Sequence, residues 1–521
     1  ATRVNADGNI EKETQNLLTY SNDFSEWSSI NTSETSGQSG YDGSNDAWLL
    51  SKSASSARVQ QSISTSGVQT YSVYVKAGTL NYVMLNNSVV SQWFDLSNGT
   101  IGTNSSSANT IDASIESVGN GWYRCSLIFN SSISIVRIYP SQADNDVNGT
   151  SGSIYIQDAQ LEQGLVARDY IETTTAAVEG GITDNVPRLD YTDSSCPALL
   201  LEPQRTNLVT QSEYISASTY AFTNAAVTNN AATSPEGVDN ANLVSITSSG
   251  NFTAFGTSVG NNSITFSVFA KQITTNTLRL REAFYYGTQV IFDLSDGSIV
   301  SGSGTIEDYG NGWYRCSMTQ SYTAGQTNLT LTMDSNANPA MDLYLWGMQI
   351  EAGSYATSYI PTYGTSVTRN EDLGSSSYTG ITSTSGTLFF DLKEGIKGKA
   401  INSGVASLGL RFSSTGTSNS IGLRDADGRL QGVVRIEASS TYLGIHLDSD
   451  TANKVCFVWT PSYVKIFQNG VLTETASVST TRVYNTFDLP NTTRVVKAAV
   501  NQVLTFPTAL SNEEAIALTT I

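Results

Sequence analysis

The octapeptide Gly119-Asn120-Gly121-Trp122-Tyr123-Arg124-Cys125-Ser126 returns letter for letter at Gly310-Asn311-Gly312-Trp313-Tyr314-Arg315-Cys316-Ser317. Other matches flank it in the same order, which marks a duplicated domain rather than a chance octamer. Asn16-Leu17-Leu18-Thr19 answers to Asn207-Leu208-Val209-Thr210 at a shift of 191 residues (207 minus 16), the shift of the octapeptide itself (310 minus 119). Between these anchors Ser72-Val73-Tyr74-Val75-Lys76 pairs with Ser267-Val268-Phe269-Ala270-Lys271, and Phe94-Asp95-Leu96-Ser97 with Phe292-Asp293-Leu294-Ser295. Downstream, Gln160-Leu161-Glu162 answers to Gln349-Ile350-Glu351. Each unit spans roughly 150 to 160 residues, long enough to bury one core of its own.

The 521-residue length suggests about three or four domains, and the two copies plus a C-terminal remainder make three. Charged residues are 14% of the chain and hydrophobic ones 39%, with Ser, Thr, Asn and 42 glycines between short apolar runs. That pattern reads as all-β. A net charge of −19 opposes nucleic-acid or anionic-membrane binding, because either surface repels the chain at long range. No apolar run reaches the roughly 18 residues of a membrane span, which argues against membrane insertion. Cys125 and Cys316 sit at the same place in the two copies and read as small core residues, unpaired. Cys196 and Cys456 lie in unlike contexts with no zinc-ligand spacing.

These signals divide the chain into an N-terminal strap (1–15), unit one (16–174), a Pro-containing connecting strap (175–206), unit two (207–364) and a third unit (365–521). In the octapeptide, Gly119-Asn120-Gly121 supplies positive φ for a tight turn, and Trp122 then opens a core strand. In the connecting strap, Pro197 and Pro203 bracket the apolar run Ala198 to Leu201. Proline on both sides limits helix and predicts an extended segment packed on a neighbouring domain. In the third unit, Asn469-Gly470 between apolar runs predicts a hairpin, and Ser511 followed by Glu513 and Glu514 predicts a capped helix.

Pro187-Arg188-Leu189-Asp190-Tyr191, Cys196 through Asn207, and Ser358-Tyr359-Ile360-Pro361-Thr362 resemble segments of tail and head-fibre proteins of tailed bacteriophages. In those proteins such straps join jelly-roll modules similar to carbohydrate-binding modules. The opening Ala1-Thr2-Arg3-Val4-Asn5-Ala6-Asp7-Gly8 resembles the same strap cut near its start. The third unit is similar to laminin-G or concanavalin-like sandwiches. The resemblance implies three antiparallel β-sandwich (jelly-roll) domains in an extracellular virion fibre or spike. It also implies host-surface glycans and other virion proteins as partners, and a homo-oligomer, by analogy a trimer. A secreted bacterial polysaccharide-binding protein is the alternative, and a polysaccharide lyase a more distant one.

No enzyme is expected. The chain has one histidine, His446, on an alternating strand pattern, and Asp391 and Asp448 to Asp450 read as surface charges. The paired-carboxylate strand of glycosidases, the nucleophile elbow, the P-loop and the His-Glu-x-x-His motif are all missing. No cofactor is required. A structural calcium ion is possible in unit one, as jelly-roll modules often pin their first and last strands with one. Asn22, Asp23 and Asp158 are its candidate ligands. Unit two has Tyr214 at the place of Asp23 and Gly347 near that of Asp158. For glycan binding, sugar rings pack on exposed aromatic faces. Core anchors recur in both copies while specificity residues differ, so the non-shared aromatics are the candidates. These are Trp27, Trp48 and Trp93 in unit one, against Asn242 opposite Trp48 and Ile291 opposite Trp93, and the Tyr285-Tyr286 pair in unit two.

Overall fold

The computed structural model describes residues 2–183, 186–192, 195–217, 220–256, 263–274, 276–282, 287–322, 329–334, 340–372, 375–377, 384–393, 407–413, 420–426, 429–436, 441–447, 453–478, 484, 486–488 and 498–521. The chain is all-β, built of antiparallel sheets, with one short α-helix among the described residues.

Unit one is a sandwich of two six-stranded sheets. The front sheet runs in spatial order Thr100–Asn104, Ser91–Asp95, Tyr82–Asn86, Ile133–Ser141, Arg58–Thr65, Ser28–Ile30. The back sheet runs Thr110–Gly119, Trp122–Asn130, Val68–Ala77, Gly152–Gln163, Ala47–Lys52, Thr32–Gln38. Alternate residues of both sheets, among them Val73, Val75, Leu85, Phe94, Leu127, Val136 and Ile138, fill the space between them. A strand with one face in the core and one outside has this two-residue period.

Unit two repeats the order. Its strand Ala241–Gly256 passes unbroken from one sheet to the other: Asn242 to Ile246 pair with Met341–Ala352, and Phe252 to Gly256 with Leu329–Asp334. Unit one splits the same path into Ala47–Lys52 and Arg58–Thr65. The octapeptide turns match, with φ of 52° and 53° at Asn120 and Asn311 and 78° at both Gly121 and Gly312. Trp122 and Trp313 are buried, and Cys125 and Cys316 are buried and free, facing Val73 and Val268 across the strand.

One asparagine closes each unit. Asn16 donates to the carbonyls of Ala159 and Ile171 and accepts from the N–H groups of Leu18 and Leu161. Asn207 makes the same four bonds to Met348, Ile360, Val209 and Ile350. Gln160 and Gln349 repeat the device, each accepting from the N–H of an isoleucine, Ile171 or Ile360. These amides satisfy buried backbone groups that have no ladder partner.

The straps are ordered hairpins, and each docks on a later unit. Strands Thr2–Val4 and Ile10–Lys12 pair with each other, and Ile10 donates its N–H to Pro235 O of unit two and packs with Phe269, Trp313 and Trp346. The connecting strap adds Ala198–Leu201 to the edge of the third unit, pairing with Ala498–Phe506. The proline-bracketed run is thus an added strand of a seven-stranded sheet, its N–H and C=O groups meeting an edge that is otherwise open. A six-stranded sheet faces it across a core of Leu388, Phe390, Phe412, Phe457 and Trp459. Asn469 and Gly470 form the expected hairpin with positive φ. Ser511 caps the helix Asn512–Thr519 in a capping box with Glu514.

Candidate functional site

The outer face of unit one's front sheet carries two cross-strand rows. Trp93 stands opposite Met84, and Met84 opposite Tyr139; the guanidinium of Arg58 lies 5.4 Å from the Tyr139 ring centroid. Two residues along each strand, Ser91 pairs with Asn86, Asn86 with Arg137, Arg137 with Gln60 and Gln60 with Ser28. The second row is polar and half-buried. Arg137 donates to Asn86 Oδ1 at 2.7 Å and to Gln60 Oε1 at 3.3 Å, and Arg58 Nε donates to the same Gln60 oxygen at 2.9 Å. The strand Ile133–Ser141 explains the layout, since Val136 and Ile138 turn inward and put Arg137 and Tyr139 outside.

The loop after Ser141 packs over the aromatic row. Val147 packs against the cluster of Trp93, Met84 and Tyr139, and its carbonyl accepts from Lys52 Nζ and the Ser56 N–H. Asp144 holds the other side by accepting from the N–H and hydroxyl of Thr103. Trp93 is therefore only 6% exposed, which corrects the expectation that it faces a sugar, and its Nε1 is buried without a hydrogen-bond partner among the described residues. Burial of an indole N–H without a partner is unusual. Unit two places Ile291, Arg279 and Asp334 at the three register positions of Trp93, Met84 and Tyr139, so the aromatic row belongs to unit one alone.

Trp27 is buried, which corrects the expectation that it faces a sugar, and Trp48 is half-buried against the core; both hold the first segment of the unit. Trp48 Nε1 donates to Asn22 O at 2.7 Å, and in unit two Asn242 Nδ2 donates to the equivalent carbonyl, Glu213 O, at 2.8 Å. Trp27 is buried and donates to Tyr20 O at 3.0 Å, while Tyr220 of unit two donates its hydroxyl to the corresponding Gln211 O. The non-shared residues perform a shared task, holding the first segment of each unit onto its sandwich. Tyr285 and Tyr286 lie outside the described residues.

Of the expected calcium ligands, Asn22 and Asp158 meet, the Asp158 N–H donating to Asn22 Oδ1 at 3.2 Å. Asp23 does not join them; its carboxylate accepts from the N–H and hydroxyl of Ser25 and caps a short 3-10 turn. Asp42 and Asp46 approach instead, both accepting from Gln157 Nε2 and from Ser44 Oγ. Asp158 accepts from the Tyr41 hydroxyl, whose ring stacks on Tyr74 at 3.8 Å. Burial pushes the Asp158 carboxyl up to about 7; the bond from Tyr41 opposes this, and the charges of Asp46 and Asp42 add to it. Among the described residues no group of three or more His, Cys, Asp or Glu side chains converges on one point that could hold a metal ion. As placed, these residues do not form a calcium shell.

No protein-family model matches the chain, and no curated protein matches it. Among solved structures, the N-terminal CBM22-1–CBM22-2 tandem domain of Xyn10C from Paenibacillus barcinonensis is similar at 10% identity, over 63% of this chain and 93% of that one, with a TM-score of 0.19. A score of that size carries no argument.

Proposed function

We infer that the chain is a non-enzymatic glycan-binding protein whose front sheet in unit one meets the sugar. The observation that supports this most is the polar row of Asn86, Arg137 and Gln60 on an outer sheet face, beside an aromatic row that unit one alone carries. Amide and guanidinium groups fixed on neighbouring strands can bond adjacent hydroxyls of a sugar without first being ordered. The aromatic row lies beside them, buried under Val147. A glycan array of the whole chain tests the reading. Arg137→Ala is expected to reduce the signal at least about tenfold, the loss of one good polar contact. An unchanged signal in the folded variant rules out this face.

The resemblance of the straps to phage fibre segments supports a finer reading, a trimeric virion fibre or spike component that attaches to host-surface glycans. Mass spectrometry of purified virions should then find the chain, and its absence from particles defeats the fibre role.

A further inference from the structure

Two guanidinium groups lie side by side on unit one's front sheet, and among the described residues no carboxylate pairs with either. Gln60 Oε1 accepts from Arg58 Nε at 2.9 Å and from Arg137 Nε at 3.3 Å, so two cations meet on one neutral oxygen. Their other bonds are neutral too. Arg58 Nη1 donates to Ser56 O at 3.1 Å and Arg137 Nη1 to Asn86 Oδ1 at 2.7 Å, and the Tyr139 ring beneath Arg58 orients it without cancelling its charge. The register fills the rest of the two rows with Ser91, Ser28, Trp93 and Met84, none of them acidic. At the same register unit two sets Asp334 opposite Arg279. The bases at the strap junction differ as well, since Lys12, Arg168, Arg188 and Arg369 each contact a carboxylate.

Both arginines are half-buried, and the Nη2 of each makes no hydrogen bond with the described residues and reaches solvent. The acids of neighbouring segments are turned to other partners: Asp144 accepts from Thr103, Asp146 from the Asn148 N–H and Glu34 from Ser29. Two like charges held together without a counter-ion repel, and an anion placed on them replaces that repulsion with two attractions. A guanidinium fork matches the paired oxygens of a carboxylate or sulfate, and such charge-assisted bonds are roughly twice as strong as neutral ones. The chain's net charge of −19 repels anions in general. The unopposed pair on this face is where one acid group of a sugar still gains.

We propose that the front-sheet site takes an acidic glycan, a chain bearing a carboxylate or sulfate group that Arg58 and Arg137 hold. The proposal rests on the sheet-face reading and names the sugar class for it. The test is calorimetric titration of the whole chain with three matched pairs: trigalacturonate and its methyl ester, sialyllactose and lactose, and a sulfated galactan oligosaccharide and its desulfated form. At least one acidic member is expected to bind about tenfold or more tighter than its neutral partner, and Arg58→Gln should remove at least about tenfold of that affinity. Arg58→Lys, which returns the charge without the fork, should restore part of it. The pair that discriminates shows whether a carboxylate or a sulfate is read. No binding by any acidic member, equal affinity within every pair, or an unchanged acidic affinity in folded Arg58→Gln overturns the proposal. The sheet-face reading fails separately: an unchanged array signal in Arg137→Ala defeats the face itself, whereas a lost signal together with equal affinity within every pair defeats only the acidic class.

Discussion

Asp158 occupies a β-bulge with φ of 52°, and at the same bulge in unit two stands Gly347 with φ of 61°. Glycine takes that conformation freely and aspartate does so at a cost, so an acid kept there bears two penalties, strain and burial. Its carboxyl is raised from 3.8 to about 7. A raised acid is stabilising in its protonated form. That contribution is full below the unfolded value near 4, falls as pH rises through the window, and is gone above about 7. At roughly 1.4 kcal/mol per pH unit the total is on the order of 4 kcal/mol. Thermal melts of unit one should therefore decline from pH 4 to 7, and Asp158→Gly should flatten the decline while raising the melting temperature at pH 7. Parallel curves for the two proteins would exclude this account. Chelators should leave both melts unchanged, since Asp23 turns to Ser25 rather than to Asp158.

At the scale of elements, the hairpin of residues 2–12 belongs energetically to unit two, although it precedes unit one in the chain. Lys12, 6% exposed, places its ammonium between Glu213 and Glu236, and the hydroxyls of Tyr359 and Tyr363 donate to Glu213. Removing one partner of a buried ion pair strands the other, a loss of about 3–5 kcal/mol. Lys12→Met should then speed amide exchange in Trp313–Ser321 of unit two and leave Trp122–Asn130 of unit one protected. Adding Glu213→Gln to the same chain should restore part of the loss. Equal loosening of both units would mean that the hairpin is not specific to unit two. In unit one the loop of Tyr41 performs the covering task by stacking its own ring on Tyr74, so that face needs no hairpin.

Across the whole molecule the units are joined at close backbone contacts as well as by the straps. Val68 of unit one donates its N–H to Tyr363 O at the end of unit two. A Cβ on Gly67 would stand 1.8 Å from that carbonyl oxygen, and Gly67 itself has φ of 95°. Gly67→Ala should accordingly separate units one and two while each sandwich stays folded. Limited proteolysis would reveal this as new cleavage near Thr362 to Ser366 with unchanged circular dichroism. An intact contact in that variant would show that the backbone can yield there.

The duplication, the all-β class, the equivalent free core cysteines, the octapeptide turns, the Asn469-Gly470 hairpin and the Ser511 cap were all legible in the residues. Each depends on local chemistry: a period of two, a positive φ, or a side chain that bonds its own neighbours. Comparing the copies also located Ile291 opposite Trp93 and Gly347 opposite Asp158, as the sheet registers place them. What the comparison could not supply was the work each differing residue does. Trp48 and Asn242 differ in type and donate to the same carbonyl, as do Trp27 and Tyr220, because a hydrogen bond asks for a donor at a point and is indifferent to the group that carries it. The polar row of Asn86, Arg137 and Gln60, the burial of Trp93 beneath Val147 and the docking of the straps depend on segments distant in sequence coming side by side. Only the tertiary structure decides those neighbours, since strand order and hairpin docking are set by the packing of whole faces.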